Sequence, residues 1–443
     1  MSRLYQRVLL VITLCTLLLS TPLMALSQTQ VSPPSIKTPI GLVIDASNGQ
    51  ILYQESSEDL VEVSDLTKIL VLYLIYQEIK DGNINFNSEV SISDAAYALS
   101  QDYSIENVPL RQDETYTVKE LLRAVAIEEA NGACLALSEF VAGSEENFLD
   151  LMKKQLTDWG VDSYELYNVT GLPNQYNPLD SATRNQGEVN KLTSETLAIA
   201  AYHLLKIAPD IVKETQVSRE LFRAGTSDAF EMTNLNDMLK SGDFSYGGVD
   251  GLMVSGSTSK KHHFLATAEQ NGFRLITVVL GGREENDHFI STKQLLDYVY
   301  TNFEQVKVIS KGHPVASIGQ VDIANGRQSS TILMYQNELK CTVPLSDISP
   351  QVDYHYHPIE QYYNQHQQLV APISKNVIVG KMEVTMKGLA LNYLPTTQAN
   401  ISNVVVNPGI QEGTWYLKLW RMISRLFSQT WNTIRSFFIN IFN

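Results

Sequence analysis

Two β-hairpin patterns on either side of a helical middle constrain the fold of this chain most strongly. The first pattern spans Gly41–Tyr53 and turns at Asn48-Gly49, a dipeptide that favours tight hairpin turns. The second spans Phe264–Leu280 and turns at Asn271-Gly272. Between the hairpins, apolar residues recur with helical spacing over Leu66–Ile79, Val118–Phe140 and Leu192–Ile207. This order predicts an α/β domain in which helices cover an antiparallel sheet.

From about Val306 the pattern changes to short alternating segments separated by turn residues. The predicted strands are Pro314–Val321, Gln328–Met334, Leu339–Val343, Val377–Val384 and Leu389–Leu394. This spacing predicts a separate all-β domain of roughly a hundred residues. His355, His357 and His366 fall in a Tyr- and Gln-rich segment that we interpret as a loop of this domain. Their spacing matches no metal motif, so we expect no metal site there.

Composition excludes several classes of protein. The chain has 443 residues, of which 44% are hydrophobic, so it can form two or three packed domains. The net charge of -15, with no basic run in the body, argues against a nucleic-acid surface. Of the three cysteines, Cys15 lies in the N-terminal leader, and Cys134 and Cys341 alone cannot form a disulfide framework. We therefore expect a globular protein that binds no nucleic acid and requires no cofactor.

The N-terminus has the pattern of a signal peptide. Arg3 and Arg7 precede an apolar run over Val8–Leu19, and Ala25-Leu26-Ser27 supplies the small residues of a cleavage site. The apolar run is shorter than the roughly 20 residues that a membrane-spanning helix needs. We therefore expect residues 1–27 to direct export and residues 28–39, which are rich in Ser, Thr and Pro, to form a linker.

The last thirty or so residues predict an amphipathic helix over residues 413–443. Aromatic and aliphatic residues recur every three or four positions, basic residues occupy the other face, and no acidic residue follows Glu412. The residues expected at a membrane are Trp415, Lys418, Trp420, Arg421, Arg425, Phe427, Trp431 and Arg435. Such a helix lies in the headgroup layer of an anionic membrane. The alternative is a helix that packs on its own protein or on a partner.

Motifs spread over residues 41–408 resemble the low-molecular-mass penicillin-binding proteins, which are serine-type D-alanyl-D-alanine carboxypeptidases. The motifs are Asp65–Lys68, Ala130–Ala133, Phe140–Glu146, Asn168–Pro173, Val249–Leu252, Leu369–Ile373 and Val379–Lys381. The resemblance implies a β-lactamase-like or transpeptidase-like domain over Ile40–Glu304 and a β-sandwich-like domain over 305–410. It also implies a bacterial protein, peripheral at the outer face of the cytoplasmic membrane, whose partners are peptidoglycan stem peptides or cell-wall enzymes.

The first two catalytic motifs of this family are altered here. In the family, a Ser opens a helix three residues before a Lys that takes the hydroxyl proton. Asp65 stands at the Ser position, and Lys68 is retained. The second motif begins with a proton-shuttling Ser and ends with an Asn that orients the substrate amide. The matching residues are Glu129 and Asn131.

The third motif, Lys-Thr-Gly on the strand beside the nucleophile, is also altered. An ungapped match places it on Met253-Val254-Ser255, and a match with one gap places it on Val254-Ser255-Gly256. Neither match supplies the Lys whose cation holds the substrate carboxylate. The family's cleft offers two lysines, whereas this one offers one Lys and two carboxylates. Binding of a peptide carboxylate should therefore be disfavoured.

These substitutions predict a catalytically inactive or strongly impaired homologue. Asp65 provides no hydroxyl to form an acyl-ester, and its carboxylate favours the protonated form of Lys68. Ser64 is an alternative nucleophile because it lies four residues before Lys68, but we expect it to cap helix N–H groups instead. Two other hypotheses remain open. One is an active D,D-carboxypeptidase that uses Ser64 or a rearranged site, and the other is a scaffold that docks a basic protein partner in the acidic cleft.

Overall fold

A computed structural model describes residues 32–176, 187–256, 258–345, 351–397, 400–417, 419–420 and 423. The predicted signal peptide lies outside the described residues, and so does most of the predicted C-terminal helix, including Lys418, Arg421, Arg425, Phe427, Trp431 and Arg435. At the described start of that helix, Trp415 is 75% exposed and Trp420 is 69% exposed. Within the described ranges, we find no helix that combines the length and hydropathy needed to cross a membrane.

Strands and helices are numbered along the described chain. The strands are β1 Ile40–Asp45, β2 Ile51–Glu55, β3 Val61–Glu62, β4 Glu89–Ser91, β5 Thr115–Thr117, β6 Lys191–Leu192, β7 Arg219–Phe222, β8 Phe230–Thr233, β9 Val249–Val254, β10 His262–Gln270, β11 Phe273–Gly282, β12 Phe303–Ile309, β13 Gln320–Ala324, β14 Ser330–Tyr335, β15 Leu339–Pro344, β16 Val352–Pro358, β17 Leu369–Val370, β18 Ile378–Met386 and β19 Ile401–Val406. The helices are α1 Lys68–Lys80, α2 Asp94–Ser100, α3 Val118–Glu128, α4 Asn131–Ala142, α5 Glu145–Asp158, α6 Ser194–Ile207, α7 Val212–Thr215 and α8 Asp287–Asn302.

A five-stranded antiparallel sheet in the order β2-β1-β11-β10-β9 organises the first domain. Both predicted hairpins form, and β1 joins them by pairing with β11, with Leu42 opposite Val278. Because side chains alternate across a strand, the sheet buries residues on both faces. Leu42 and Ile44 pack in the core shared with the helical layer, and Val43 packs with residues of α8 on the other face. The predicted α/β fold class is confirmed, and β9 is left at the edge of the sheet.

The helical layer differs from the sequence prediction at one point that matters for the site. The single helix predicted over Val118–Phe140 is two helices, because Glu129 adopts a left-handed conformation with φ of 54°. The periodicity did not reveal this break because apolar residues continue on both sides of it. The predicted helix over Leu66–Ile79 forms as α1, preceded by a 3₁₀ turn over Ser64–Thr67.

The C-terminal region is the all-β domain that the alternating pattern predicts. Its main sheet has the order β16-β18-β19-β14-β13-β17, and β12 pairs with β15 in a second sheet. The predicted strand Pro314–Val321 is wrong, because Pro314 makes only an isolated bridge and the strand begins at Gln320. The predicted strand Leu389–Leu394 is also wrong, because this segment makes only isolated bridges and Leu394 packs against the core of the first domain. The loop predicted around His355 and His357 is also wrong, because both residues lie on edge strand β16.

Buried polar contacts join the two domains. The Asp45 carboxylate accepts hydrogen bonds from Thr342 Oγ1 at 2.6 Å and from Gln305 Nε2 at 2.8 Å. The Gln50 side chain both donates to the backbone carbonyl of Thr342 and accepts from its backbone N–H. These contacts attach the β domain to the first hairpin, at the opposite edge of the sheet from β9.

Candidate active site

The residues that the sequence analysis matched to the three family motifs meet beside the end of edge strand β9. The 3₁₀ turn carries Asp65, and α1 begins with Lys68. Glu129 and Asn131 lie on either side of the break between α3 and α4. The fold therefore brings together residues that are separated by almost 200 positions in the sequence, from Asp65 to Gly256, whose backbone N–H bonds the Asp65 carboxylate.

Asp65 and Lys68 form a buried ion pair, with both side chains 0% exposed. Lys68 Nζ donates to Asp65 Oδ1, and the Ser64 hydroxyl donates to Asp65 Oδ2 at 2.9 Å. Burial acts to lower the pKa of Lys68, but the neighbouring acidic groups, of which Asp65 acts most strongly, outweigh it, so this pKa lies above its ordinary value. The amine is therefore held in its protonated form, in which it cannot accept a proton from a nucleophile.

Backbone donors at the end of β9 are bonded to the carboxyl groups of Asp65 and Glu129. The Gly256 N–H donates to Asp65 Oδ2 at 2.8 Å, and the Val254 N–H donates to Glu129 Oε1 at 2.7 Å. The N–H of Ser255, which lies between them, points the other way and donates to the backbone carbonyl of His263 on β10. The outward N–H groups of an edge strand are the ones that an extended ligand can pair with. Here they are already occupied, so the centre is closed by its own side chains.

Gly256 makes this closure possible. A Cβ at this position would collide with the carboxyl groups of Glu106 and Asp65, so a larger residue would displace these two side chains from their present positions. Gly256 is important because the chain after β9, the 3₁₀ turn that carries Asp65 and the loop that carries Glu106 pack together at this point. The only sequence signal for it was its place as the last residue of the gapped third-motif match.

Glu129 is almost completely buried, and its environment favours the uncharged carboxylic acid. Burial and then the charge of Asp65 raise its pKa well above the ordinary value, with Lys68 acting in the opposite direction. Among the described residues, Glu129 Oε2 and Asn131 Oδ1 have no hydrogen-bond partner. Asn131 is held from behind, because both its Nδ2 and its backbone N–H donate to the Glu106 carbonyl at 3.0 Å.

Replacing Glu129 with Gln is expected to remove a loss of stability that the native protein undergoes as the pH rises. A carboxyl with a raised folded-state pKa contributes fully to folding below its unfolded pKa, and the contribution is lost as the pH rises through the folded pKa. Each unit of elevation corresponds to about 1.4 kcal/mol. In thermal melts from about pH 4 to about pH 8, the melting temperature of Glu129→Gln should rise relative to that of the native protein as the pH increases. A difference that is independent of pH would contradict this assignment.

The structure distinguishes the two possible positions of the third motif. Met253 is buried in the core that β9 shares with the helical layer, which also contains Leu66 and Ile69 next to the ion pair. Val254 is buried in the core on the other face, with residues of α8. Met253 therefore shares a core with the helix α1, which begins with Lys68. This geometry favours the ungapped match, in which Met253 stands where the family has its Lys.

Ser64 does not cap a helix, and that prediction is wrong. It is the first residue of the 3₁₀ turn, has a φ of 48° and makes no side-chain capping bond. Its hydroxyl instead donates to Asp65, and the residue is 1% exposed. Thus Ser64 adds a third hydrogen-bond donor to the Asp65 carboxylate, after Lys68 and the Gly256 N–H.

His355 and His357, which the sequence analysis considered as metal ligands, lie in the β domain and not at this centre. On β16, His355 bonds to Thr385 at 3.1 Å and His357 bonds to Glu383 at 3.0 Å. Within the part of the chain that the structure describes, we find no cluster of three His, Cys, Asp or Glu residues arranged to hold a metal ion. Cys134 and Cys341 are both buried free thiols.

Comparison with known proteins agrees with this architecture. Residues 27–284 match the family described as D-alanyl-D-alanine carboxypeptidase, and residues 303–400 match the penicillin-binding protein 5 C-terminal domain. The D-alanyl-D-alanine carboxypeptidase DacF of Bacillus subtilis is 25% identical over 80% of this chain and 83% of its own length. The corresponding enzyme DacC of Escherichia coli is 24% identical over 93% of this chain and 94% of its own length.

Solved structures give the same result at the level of the fold. A peptidoglycan synthesis regulatory factor (PBP3) from Streptococcus pneumoniae superposes with a TM-score of 0.72 at 27% identity, covering 85% of this chain and all of that structure. Penicillin-binding protein 5 from Haemophilus influenzae superposes with a TM-score of 0.68 at 22% identity, over 86% of this chain and all of that structure. The matching domains, the shared fold and the position of the motif residues together show that the chain belongs to the D-alanyl-D-alanine carboxypeptidase family of low-molecular-mass penicillin-binding proteins.

Proposed function

We propose that this protein is a non-catalytic member of its family that acts in bacterial cell-wall metabolism. One observation carries the proposal: the carboxyl groups of Asp65 and Glu129 are bonded to the outward N–H groups of Gly256 and Val254. These groups are at the edge of the sheet, where an extended ligand would have to pair. The substituted residues therefore both remove the chemistry and fill the place of a ligand.

The chemistry is missing at each step. Asp65 provides no hydroxyl for acyl transfer, and Lys68 is protonated by its environment. Met253 supplies no cation for a substrate carboxylate. Loss of the catalytic Ser alone costs serine peptidases about a million-fold in turnover, or about 8 kcal/mol of barrier. Weak background binding of a stem peptide could not offset a loss of this size.

The geometry gives little support to the two alternative functions. An enzyme that uses Ser64 would need this hydroxyl to be accessible and paired with a base, but it is buried and donates to Asp65. A scaffold that docks a basic partner would need an open acidic surface. Asp65 instead faces Lys68, and Glu129 is buried and favours its uncharged form.

The proposed location is the outer face of the cytoplasmic membrane. It is supported by the signal-peptide pattern of residues 1–27 and by the exposed Trp415 and Trp420 at the start of a basic segment. It is also supported by the names of the relatives, which include carboxypeptidases and a peptidoglycan synthesis regulatory factor. We propose that the protein binds wall material or organises wall enzymes there.

Release of D-alanine from a peptide that ends in D-Ala-D-Ala tests the proposal. The purified protein should release no more D-alanine than a Lys68→Ala variant, which lacks the remaining motif amine. The DacC enzyme, assayed beside it, calibrates the detection limit. Release above the Lys68→Ala level would contradict the proposal, and loss of that release in Ser64→Ala would assign it to Ser64.

A further inference from the structure

A second polar cleft lies outside the altered centre. It has a volume of about 650 Å³, within the range of small-molecule binding sites. One wall is formed by the end of α2 and the following loop, which contribute Tyr97 and residues 109–113. The other wall is the turn of the β7–β8 hairpin, from Ser227 to Phe230.

The loop between α2 and β5 connects this cleft to the altered centre. Its middle residues bond to the start of α4, because the Glu106 carbonyl accepts from Asn131 and the Asn107 side chain accepts from the Gly132 N–H. Its last residues, which include Arg111 and Gln112, line the cleft. The middle of the loop, just before the residues that line the cleft, is therefore anchored by the same contacts that position Asn131.

The cleft is lined by side chains that carry paired polar atoms. The Arg111 guanidinium bonds to both carboxylate oxygens of Asp113, at 2.9 and 2.7 Å, and lies 3.5 Å from Asp228. Gln112 donates to Asp94, and Gln101 donates to the Leu110 carbonyl. These side chains therefore bond to one another in the absence of a ligand. Carboxylate, amide and guanidinium groups can each bond to two neighbouring hydroxyls of a ligand.

Two aromatic rings complete the lining. Tyr97 is 38% exposed on α2, and Phe230 is half-buried on the opposite wall. Flat aromatic faces provide apolar contact area to a ligand whose rim is polar. Aromatic faces combined with planar hydrogen-bonding groups are the chemistry that suits a sugar ring, which has an apolar C–H face and a rim of hydroxyls.

The charge of the cleft indicates the class of glycan. Arg111 is neutralised by Asp113 and Asp228, which leaves the lining with a net negative charge. The whole chain has a net charge of -15. A polyanion such as a phosphate-linked polymer would be repelled, whereas an uncharged glycan would not.

We propose that this cleft binds an uncharged glycan segment and attaches the protein to wall polysaccharide independently of the altered centre. The inference rests on the proposed role in the cell wall, but it concerns a different set of residues. Binding is expected to depend on the Tyr97 ring and on the Asp228 carboxylate, and to be unaffected by Asp65 and Glu129.

Isothermal titration of the purified protein with an N-acetylglucosamine tetramer tests the inference. Saturable binding should weaken about tenfold or more in Tyr97→Ala and in Asp228→Ala, and should persist in Tyr97→Phe, which keeps the ring. The matched control is Tyr103→Ala, since Tyr103 is a 73% exposed tyrosine in the same loop that is outside the described lining. Thermal melts establish that each variant is folded.

Three results would overturn the inference. They are no saturable binding by the native protein, equal weakening in Tyr103→Ala and Tyr97→Ala, and binding of poly(glycerol phosphate) in preference to the tetramer. Failure here leaves the D-alanine assay unchanged, so the two proposals fail separately.

Discussion

D-alanine release is expected to appear when Asp65→Ser, Glu129→Ser and Met253→Lys are combined in one protein. The three changes restore a hydroxyl next to Lys68, a second hydroxyl at the helix break and a cation on the correct face of β9. They also remove both carboxyl groups that occupy the backbone donors of Val254 and Gly256. We expect turnover at least about a hundredfold above the native protein, measured with a D-Ala-D-Ala peptide.

The control for this triple variant places the new Lys one position later on β9. A triple variant with Val254→Lys in place of Met253→Lys should stay inactive, because residue 254 lies in the core on the opposite face of the sheet. Each single substitution should also stay inactive, since groups that act as a unit contribute non-additively. Equal activity of the two triple variants would show that our assignment of the third motif to Met253 is wrong.

Lys68→Met is expected to destabilise the protein by about 3–5 kcal/mol, because it leaves the Asp65 carboxylate buried without its cation. Urea unfolding measures the free-energy difference directly. The matched control is Lys154→Met, which removes an exposed ion pair with Asp158 and should cost about 0.5 kcal/mol or less. Adding Asp65→Asn to Lys68→Met should recover part of the loss. If Lys68→Met were as mild as Lys154→Met, the buried pair would not hold the site together.

Much of the fold could be predicted from the sequence, because apolar spacing records which face of an element is buried. Both hairpins and α1 follow their patterns closely. Edge strand β16 was missed because its many Tyr and His residues were interpreted as a loop, although apolar or aromatic residues alternate with polar ones along it. The break at Glu129 was missed because apolar residues with helical spacing continue on both sides of it.

The composition of the site was predictable, but its closure was not. Family motifs placed Asp65, Lys68, Glu129 and Asn131 at one centre, and local charge already indicated a protonated Lys68. The bonds from Gly256 and Val254 to the two carboxyl groups depend on how β9 packs beside the turn and the helix break. Segments so distant in sequence leave no local signal for such contacts.

The central claim is that the native centre is closed and has no nucleophile, and intact-mass measurement after exposure to benzylpenicillin tests it most directly. A working member of the family would open the lactam ring and retain it as an ester. We predict that the native protein keeps its mass unchanged, while the Asp65→Ser, Glu129→Ser, Met253→Lys variant gains the mass of one penicillin. A penicillin adduct on any side chain of the native protein's centre would contradict the account.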